Sequence, residues 1–155
     1  MAKAVQGKKI PQFRAGATGG RTVSSKELAG RPYVLYFYPK DDTPGCTAEG
    51  QDFRDRFPEF QQHGIEVLGV SRDSLESHAK FKRKYELPFD LISDSDESLC
   101  GLFDVIREKN MYGRKYLGVE RSTFLVDGDG VLREEWRKVK VKGHVENVLR
   151  AALSL

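Results

Sequence analysis

The residues Val34-Leu35-Tyr36-Phe37-Tyr38 form an apolar and aromatic run that ends abruptly at Pro39. A strand with one wet face alternates polar and apolar residues, whereas an unbroken run of this length suits a strand covered on both faces. After a polar loop, Phe53, Phe57 and Phe60 recur at helical spacing, and Ile65-Glu66-Val67-Leu68-Gly69-Val70 reads as a second buried strand. Strand, helix and parallel strand require a right-handed crossover. The loop between Pro39 and the helix therefore lies at the carboxyl end of the first strand, where open α/β sheets place their ligands.

The remaining elements follow from punctuation and periodicity. Gly16 to Gly20 reads as a turn between two short N-terminal strands, and Ser24 or Ser25 caps a helical turn ending near Gly30. Pro58 lacks an N–H and crowds the preceding turn, so the first long helix is expected to kink or to end near Phe57. A helix capped by Ser74 runs to Tyr85, a strand covers Phe89 to Ile92, and a short helix spans Asp96 to Phe103. The turn signal Asp127-Gly128-Asp129-Gly130 joins Ser122–Val126 to Val131–Val141 as an antiparallel hairpin, and Val145 to Leu153 forms a closing amphipathic helix. These elements describe one three-layer α/β domain of thioredoxin type over residues 1–155, with a mixed central sheet flanked by helices and an N-terminal hairpin.

Composition narrows the partners. A chain of 155 residues with 32% charged and 39% hydrophobic residues is an ordinary globular sequence. Lys3, Lys8 and Lys9 precede no apolar stretch long enough for a signal-peptide core or membrane span. With Cys46 and Cys100 as its two cysteines, it lacks a disulfide scaffold, so a reducing cytoplasm is expected, with no membrane partner. The formal charge of +3 is too mild for a dedicated nucleic-acid binder. Arg133, Arg137, Lys138, Lys140 and Lys142 alternate in part with Trp136, Val139 and Val141, and read as a solvated strand face rather than a phosphate-binding surface.

The loop Pro39-Lys40-Asp41-Asp42-Thr43-Pro44-Gly45-Cys46-Thr47 puts Cys46 in the first turn of the helix. A thiol reacts as its thiolate, and at an unperturbed value near 8.5 only roughly 3% is ionised at pH 7. The helix N-terminus offers about 0.3 to 1 kcal/mol to an anion. A guanidinium about 4 Å away supplies on the order of 4 kcal/mol at an effective dielectric of about 20, before desolvation. An arginine from elsewhere in the chain thus matters more than the helix, and Arg121, directly before a strand that could lie beside the first, is the candidate. Read singly, Thr43-Pro44-Gly45 could be only a turn, Cys46 a small helix-start residue and Arg121 a surface charge.

Together these residues resemble a known family. Pro39, Thr43 and Cys46 match the peroxiredoxin pattern Pro-x-x-x-Thr-x-x-Cys, Cys46-Thr47-Ala48-Glu49 is similar to its bacterioferritin comigratory protein (peroxiredoxin Q) branch, and Arg121-Ser122-Thr123-Phe124 resembles its downstream arginine segment. The resemblance covers about Val34 to Val141. It implies a thiol-dependent peroxidase acting on hydrogen peroxide and organic hydroperoxides, in which Cys46 becomes a sulfenic acid. Thr43 and Arg121 would bind the peroxide and hold the thiolate, the N–H groups of Gly45 and Cys46 would do likewise, and Pro39 would shield the sulfur.

The match fails at one place. Many members of the branch carry a resolving cysteine five residues after the first, where this chain has Gln51, and the Ser74 to Tyr85 helix has none. Cys100 remains, either as a resolving residue that requires local unfolding or as a small buried residue beside the apolar face of Leu99, Leu102, Phe103 and Ile106. Without it, thioredoxin, glutaredoxin or a small thiol must attack the sulfenic acid. The chain is expected to be a monomer or weak homodimer.

His63, His78 and His144 have no metal-ligand spacing and read as surface residues, no phosphate-binding glycine pattern follows a strand, and the turn after Asp127 is too short for a calcium loop, so no metal or cofactor is expected. Cys-x-x-Cys is absent, which disfavours a dithiol exchanger. Met111 and Tyr112 read as residues of a loop before Arg121, lining the peroxide entrance or simply exposed. The competing functions are a peroxide-responsive sensor or chaperone-like binding protein using the same Cys46, and a nucleic-acid module using the basic ribbon.

Overall fold

The structure is a computed structural model that describes residues 2–155. The chain begins with the hairpin β1 (Arg14–Gly16) and β2 (Thr22–Ser24), joined by a 3-10 turn over Thr18–Gly20. Helix α1 (Ser25–Leu28) follows, capped by the Ser24 hydroxyl, which accepts from the Glu27 N–H. The crossover unit is β3 (Tyr33–Phe37), α2 (Pro44–Gln62) and β4 (Glu66–Ser71). Next come α3 (Leu75–Lys84), with Ser74 as its expected cap, β5 (Leu91–Ser93) and α4 (Ser98–Leu102). A hairpin, β6 (Ile106–Met111) and β7 (Arg114–Val119), precedes β8 (Ser122–Val126), β9 (Leu132–Trp136) and α5 (His144–Leu153).

The central sheet has the order β5-β4-β3-β8-β9. β3 lies parallel to β4 and antiparallel to β8, so the mixed sheet and the strand beside the first are as the sequence implies. All five residues of β3 and the following Tyr38 are buried, and they divide by parity. Val34, Tyr36 and Tyr38 pack with α2 and α5 on one face, while Tyr33, Leu35 and Phe37 pack with α1, α4 and the N-terminal hairpin on the other. Each layer contains one cysteine: Cys46 with the α2 face, Cys100 with the α4 face.

Tyr36 is the keystone of the first layer. Its ring stacks on Phe53 of α2 at 4.5 Å between centroids, and Gly69 makes room for it on β4. A Cβ on Gly69 would stand 2.8 Å from a Leu91 methyl and 3.0 Å from the Tyr36 ring.

Four expectations need correction. The helix does not end at Phe57: α2 continues through Pro58 to Gln62. The missing hydrogen bond is local, whereas Phe53, Phe57 and Phe60 on either side are held against the same core layer, and that packing outweighs the proline penalty. The last strand stops at Trp136 rather than Val141, because Lys138 adopts a left-handed φ of 49° and Arg137 turns inward to donate to the carbonyls of Phe103 and Asp104 at 2.9 and 2.8 Å. The basic ribbon is therefore not one strand face: Arg137 also pairs with Glu135, and Arg133 pairs with Asp127. Met111 and Tyr112 sit at the tip of the β6–β7 hairpin rather than in an irregular loop; Tyr112 and Gly113, both at positive φ (52° and 79°), make its two-residue turn. Finally, His78 and His144 are buried, and only His63 is exposed.

Candidate active site

The site grows out of the carboxyl end of β3. Thr43 is the N-cap of α2 in extended conformation (φ −99°, ψ 156°), and Pro44 takes the first helical position, where a missing N–H leaves nothing unsatisfied. The Thr43 hydroxyl does not cap the helix; it donates to the Lys40 carbonyl at 2.9 Å. The first-turn N–H groups of Gly45 and Cys46 are thus uncapped by the N-cap side chain and face the helix mouth. Cys46 itself is only 1% exposed, with half-buried Pro39 and Thr43 in the loop before it.

Arg121 arrives from the other side. Phe37 pairs with Ser122, so the residue before β8 stands next to the start of the loop. Its Nη2 donates to Cys46 Sγ at 3.3 Å and its Nη1 to Glu49 Oε1 at 2.7 Å. Gly45 permits this approach, since a Cβ there would lie 3.1 Å from Arg121 Nη2. The four residues expected in the site, Pro39, Thr43, Cys46 and Arg121, share this end of the sheet.

Glu49 is the residue that sequence reasoning left without a role. It is fully buried one helical turn beyond Cys46, and its Oε2 has no hydrogen-bond partner among the described residues. Burial pushes its carboxyl up to about 7, against the downward pull of Arg121. A charged residue at helical spacing from Cys46, inside a helix whose aromatic face is buried, was the available signal. His144 also lies nearby: its Nε2 is 2.8 Å from Thr123 Oγ1, and burial, aided by the Arg121 charge, lowers it to about 4.

The loop is fastened by a second polar cluster. Asp41 takes hydroxyl bonds from Tyr38 (2.6 Å) and Ser77 (2.8 Å) and pairs with His78 Nδ1 (2.7 Å), whose Nε2 meets the Ile92 carbonyl at 2.9 Å. The Asp41 N–H donates to Asp73, which also accepts from Ser71. Asp41, Asp73 and His78 bring oxygen and nitrogen atoms within 4.8 Å of one another, yet their own hydrogen bonds close the cluster, which ties the loop to α3 and β5.

Cys100 is not brought to this site. It is fully buried in the opposite core layer, with the central sheet between it and Cys46. Its N–H donates to Asp94 Oδ2 at 2.7 Å, and burial, then the Asp94 carboxylate, push its thiol well up. This geometry opposes the resolving role and favours the packing role.

A family model for the AhpC/TSA family matches residues 6–135. Peroxiredoxin Bcp of Xanthomonas campestris pv. campestris is 54% identical over 134 residues, covering 86% of this chain and 84% of that protein. The chain belongs to the AhpC/TSA family, among its Bcp/PrxQ peroxiredoxins. Peroxiredoxin Bcp of Bacillus subtilis is 49% identical over 144 residues, 93% of this chain and 92% of the relative. A Xanthomonas campestris bacterioferritin comigratory protein structure, solved for insight into alkyl peroxide reduction, superposes with a TM-score of 0.87 at 51% identity, over 92% of this chain and 90% of that one. A cysteine-to-serine variant of Xylella fastidiosa PrxQ gives 0.93 at 41% identity, over 99% and 98% of the two chains. This peroxiredoxin is accordingly a thiol-dependent peroxidase of thioredoxin fold, with a hydroperoxide as substrate and a thiol as reductant. No helix among the described residues is long and apolar enough to cross a membrane.

Proposed function

We propose that Cys46 is the peroxidatic residue and that Arg121, bridging its sulfur and Glu49, is the group that makes it reactive. The supporting observation is the pair of Arg121 donor contacts, 3.3 Å to the sulfur and 2.7 Å to a fully buried carboxylate. The Cys46 thiolate attacks the terminal oxygen of the hydroperoxide. The O–O bond breaks, the sulfur is oxidised to sulfenic acid, and the departing alkoxide or hydroxide takes a proton to leave as alcohol or water. Arg121 and the N–H groups of Gly45 and Cys46 stabilise charge on the separating oxygens. Because the Thr43 hydrogen is already given to the Lys40 carbonyl, its oxygen is free to accept the hydroperoxide O–H and orient the attack. Pro39 limits water at the sulfur.

Reduction then comes from outside the chain. A thiol attacks the sulfenic sulfur, releasing water and leaving a mixed disulfide. A second thiol displaces Cys46 as thiolate and carries the oxidation away as a disulfide. Thioredoxin, glutaredoxin and small thiols meet this chemistry. Hydrogen peroxide and organic hydroperoxides both fit, and the alkyl peroxide activity named for the Xanthomonas relative favours the latter as good substrates. The chain acts as one domain, a monomer or weak homodimer, in the cytoplasm, where free Cys46 and Cys100 stay reduced.

The test is mass spectrometry of the protein after one equivalent of peroxide with a sulfenic-acid trap, alongside stopped-flow peroxide consumption. The expected product is one added oxygen, trapped on Cys46. A protein that consumes no peroxide with its thiol reduced would overturn the reading.

A further inference from the structure

The β6–β7 hairpin is the most exposed apolar feature of the molecule. Met111, Tyr112, Tyr116 and Leu117 are 55%, 101%, 43% and 63% exposed, and they are half of the large hydrophobic residues exposed among those described. Isolated exposed side chains need no explanation, but a cluster on one projecting element does. No catalytic step outlined above uses it.

Its charge is as uneven as its polarity. Residues 106–119 contain Arg107, Lys109, Arg114 and Lys115 against one acid, Glu108, so the hairpin's formal charge of +3 equals that of the whole chain. The remainder of the sequence is balanced. Lys115 pairs loosely with Glu108 at 3.6 Å and Arg107 with Asp104 at 3.3 Å, whereas Arg114 enters no salt bridge among the described residues. In the β6–β7 register, Arg107, Lys109, Met111, Arg114 and Tyr116 share one face.

That element stands at the edge of the active site. β7 runs through Val119 directly into Glu120 and Arg121, and Arg72, at the carboxyl end of β4, reaches the Leu117 carbonyl at 3.4 Å. Lys109 donates to the Val119 carbonyl at 2.7 Å and lies near both Arg121 and the Cys46 sulfur; burial first, then the Arg121 charge, lower it from the usual lysine range. The oxidised sulfur has no cysteine within its own core layer to resolve it, so whatever reduces it must approach this rim from solvent.

We infer that the β6–β7 hairpin is the surface on which an acidic protein dithiol docks to reduce the sulfenic acid. The inference rests on the peroxidase reading of Cys46. Complementary charge steers the partner to the rim, and the exposed Met111 and Tyr116 supply apolar area on the same face. A small dithiol needs neither.

Turnover of the full chain is measured with two probes, a thioredoxin of acidic net charge and dithiothreitol, on wild type, Arg114→Glu and Met111→Ser. With the protein dithiol, kcat/KM falls by about tenfold in each variant, mainly through KM, and added salt weakens the wild type but not Arg114→Glu. Turnover with dithiothreitol and single-turnover sulfenic acid formation stay at the wild-type level. Equal losses with both reductants, no loss with the protein dithiol, or a hairpin that proves by sedimentation to join two copies of the chain would overturn the inference. Absence of sulfenic acid on wild-type Cys46 would instead sink the peroxidase reading, leaving the two failures distinct.

Discussion

The two cysteines of this chain are almost equally buried, 1% and 0% exposed, and they have opposite surroundings. Cys46 opens a helix and meets the guanidinium of Arg121; Cys100 sits in α4, its backbone held by the carboxylate of Asp94. Burial disfavours any thiolate, so the charge placed beside the sulfur decides which thiol can do chemistry. The central sheet keeps the two apart, which on the proposed reading lets a single chain hold one thiol for chemistry and the other for packing.

The sharpest way to break this contrast is to remove each sulfur in turn. Cys46→Ser should lower peroxide consumption by on the order of 10³-fold or more, while Cys100→Ser keeps it within about threefold. Stopped-flow assays with excess reductant measure both. Comparable losses in the two variants would mean that Cys100 takes part in turnover.

Removing the charges comes next. Arg121→Ala should cost about 10² to 10³-fold in the peroxide step, the usual scale for a lost charge-stabilising donor. The parallel change on the other side, Asp94→Ala, leaves the Leu99 and Cys100 N–H groups without their acceptor and should cost about 1 to 3 kcal/mol of stability with little effect on that step. Denaturant melts and single-turnover kinetics on both variants would show whether charge serves chemistry on one face and folding on the other.

Glu49 gives a subtler, pH-dependent test. Its carboxyl is raised from 4.5 to about 7, so between those values the folded state holds a proton that the unfolded state has lost. Its contribution to stability therefore declines as pH rises through that window. His144, lowered from 6.5 to about 4, works in the opposite sense, losing stability as pH falls below 6.5. In Glu49→Gln the first effect disappears, and the stability at about pH 8 relative to about pH 5 should rise by on the order of 2 kcal/mol compared with wild type. Urea melts across that range provide the measurement.

Much of this arrangement was legible in the sequence. The run from Val34 to Tyr38 announced a doubly covered strand, and Thr43-Pro44-Gly45-Cys46 announced a helix start with its cysteine in the first turn. Arg121 could be proposed because the residue just before a strand neighbouring the first has one place to go. What stayed hidden depended on contacts between distant segments. Pro58 looks like a helix end until the aromatic side chains around it are seen gripping the core. Glu49 looks like a solvated helix residue until Arg121 crosses to meet it. The β6–β7 hairpin was missed because its strands carry charges at many positions and bury little, so periodicity gave no signal; Tyr112-Gly113 was the readable trace.

Gly69 shows how far such dependence can reach. Because the bare backbone at that position receives the ring of Tyr36, and that ring carries α2 through Phe53, the depth at which the helix settles is fixed from the neighbouring strand. A methyl group added at Gly69 would therefore cost stability by overpacking the core and would push on the helix that carries Cys46, so that damage in the middle of the sheet is felt at its rim.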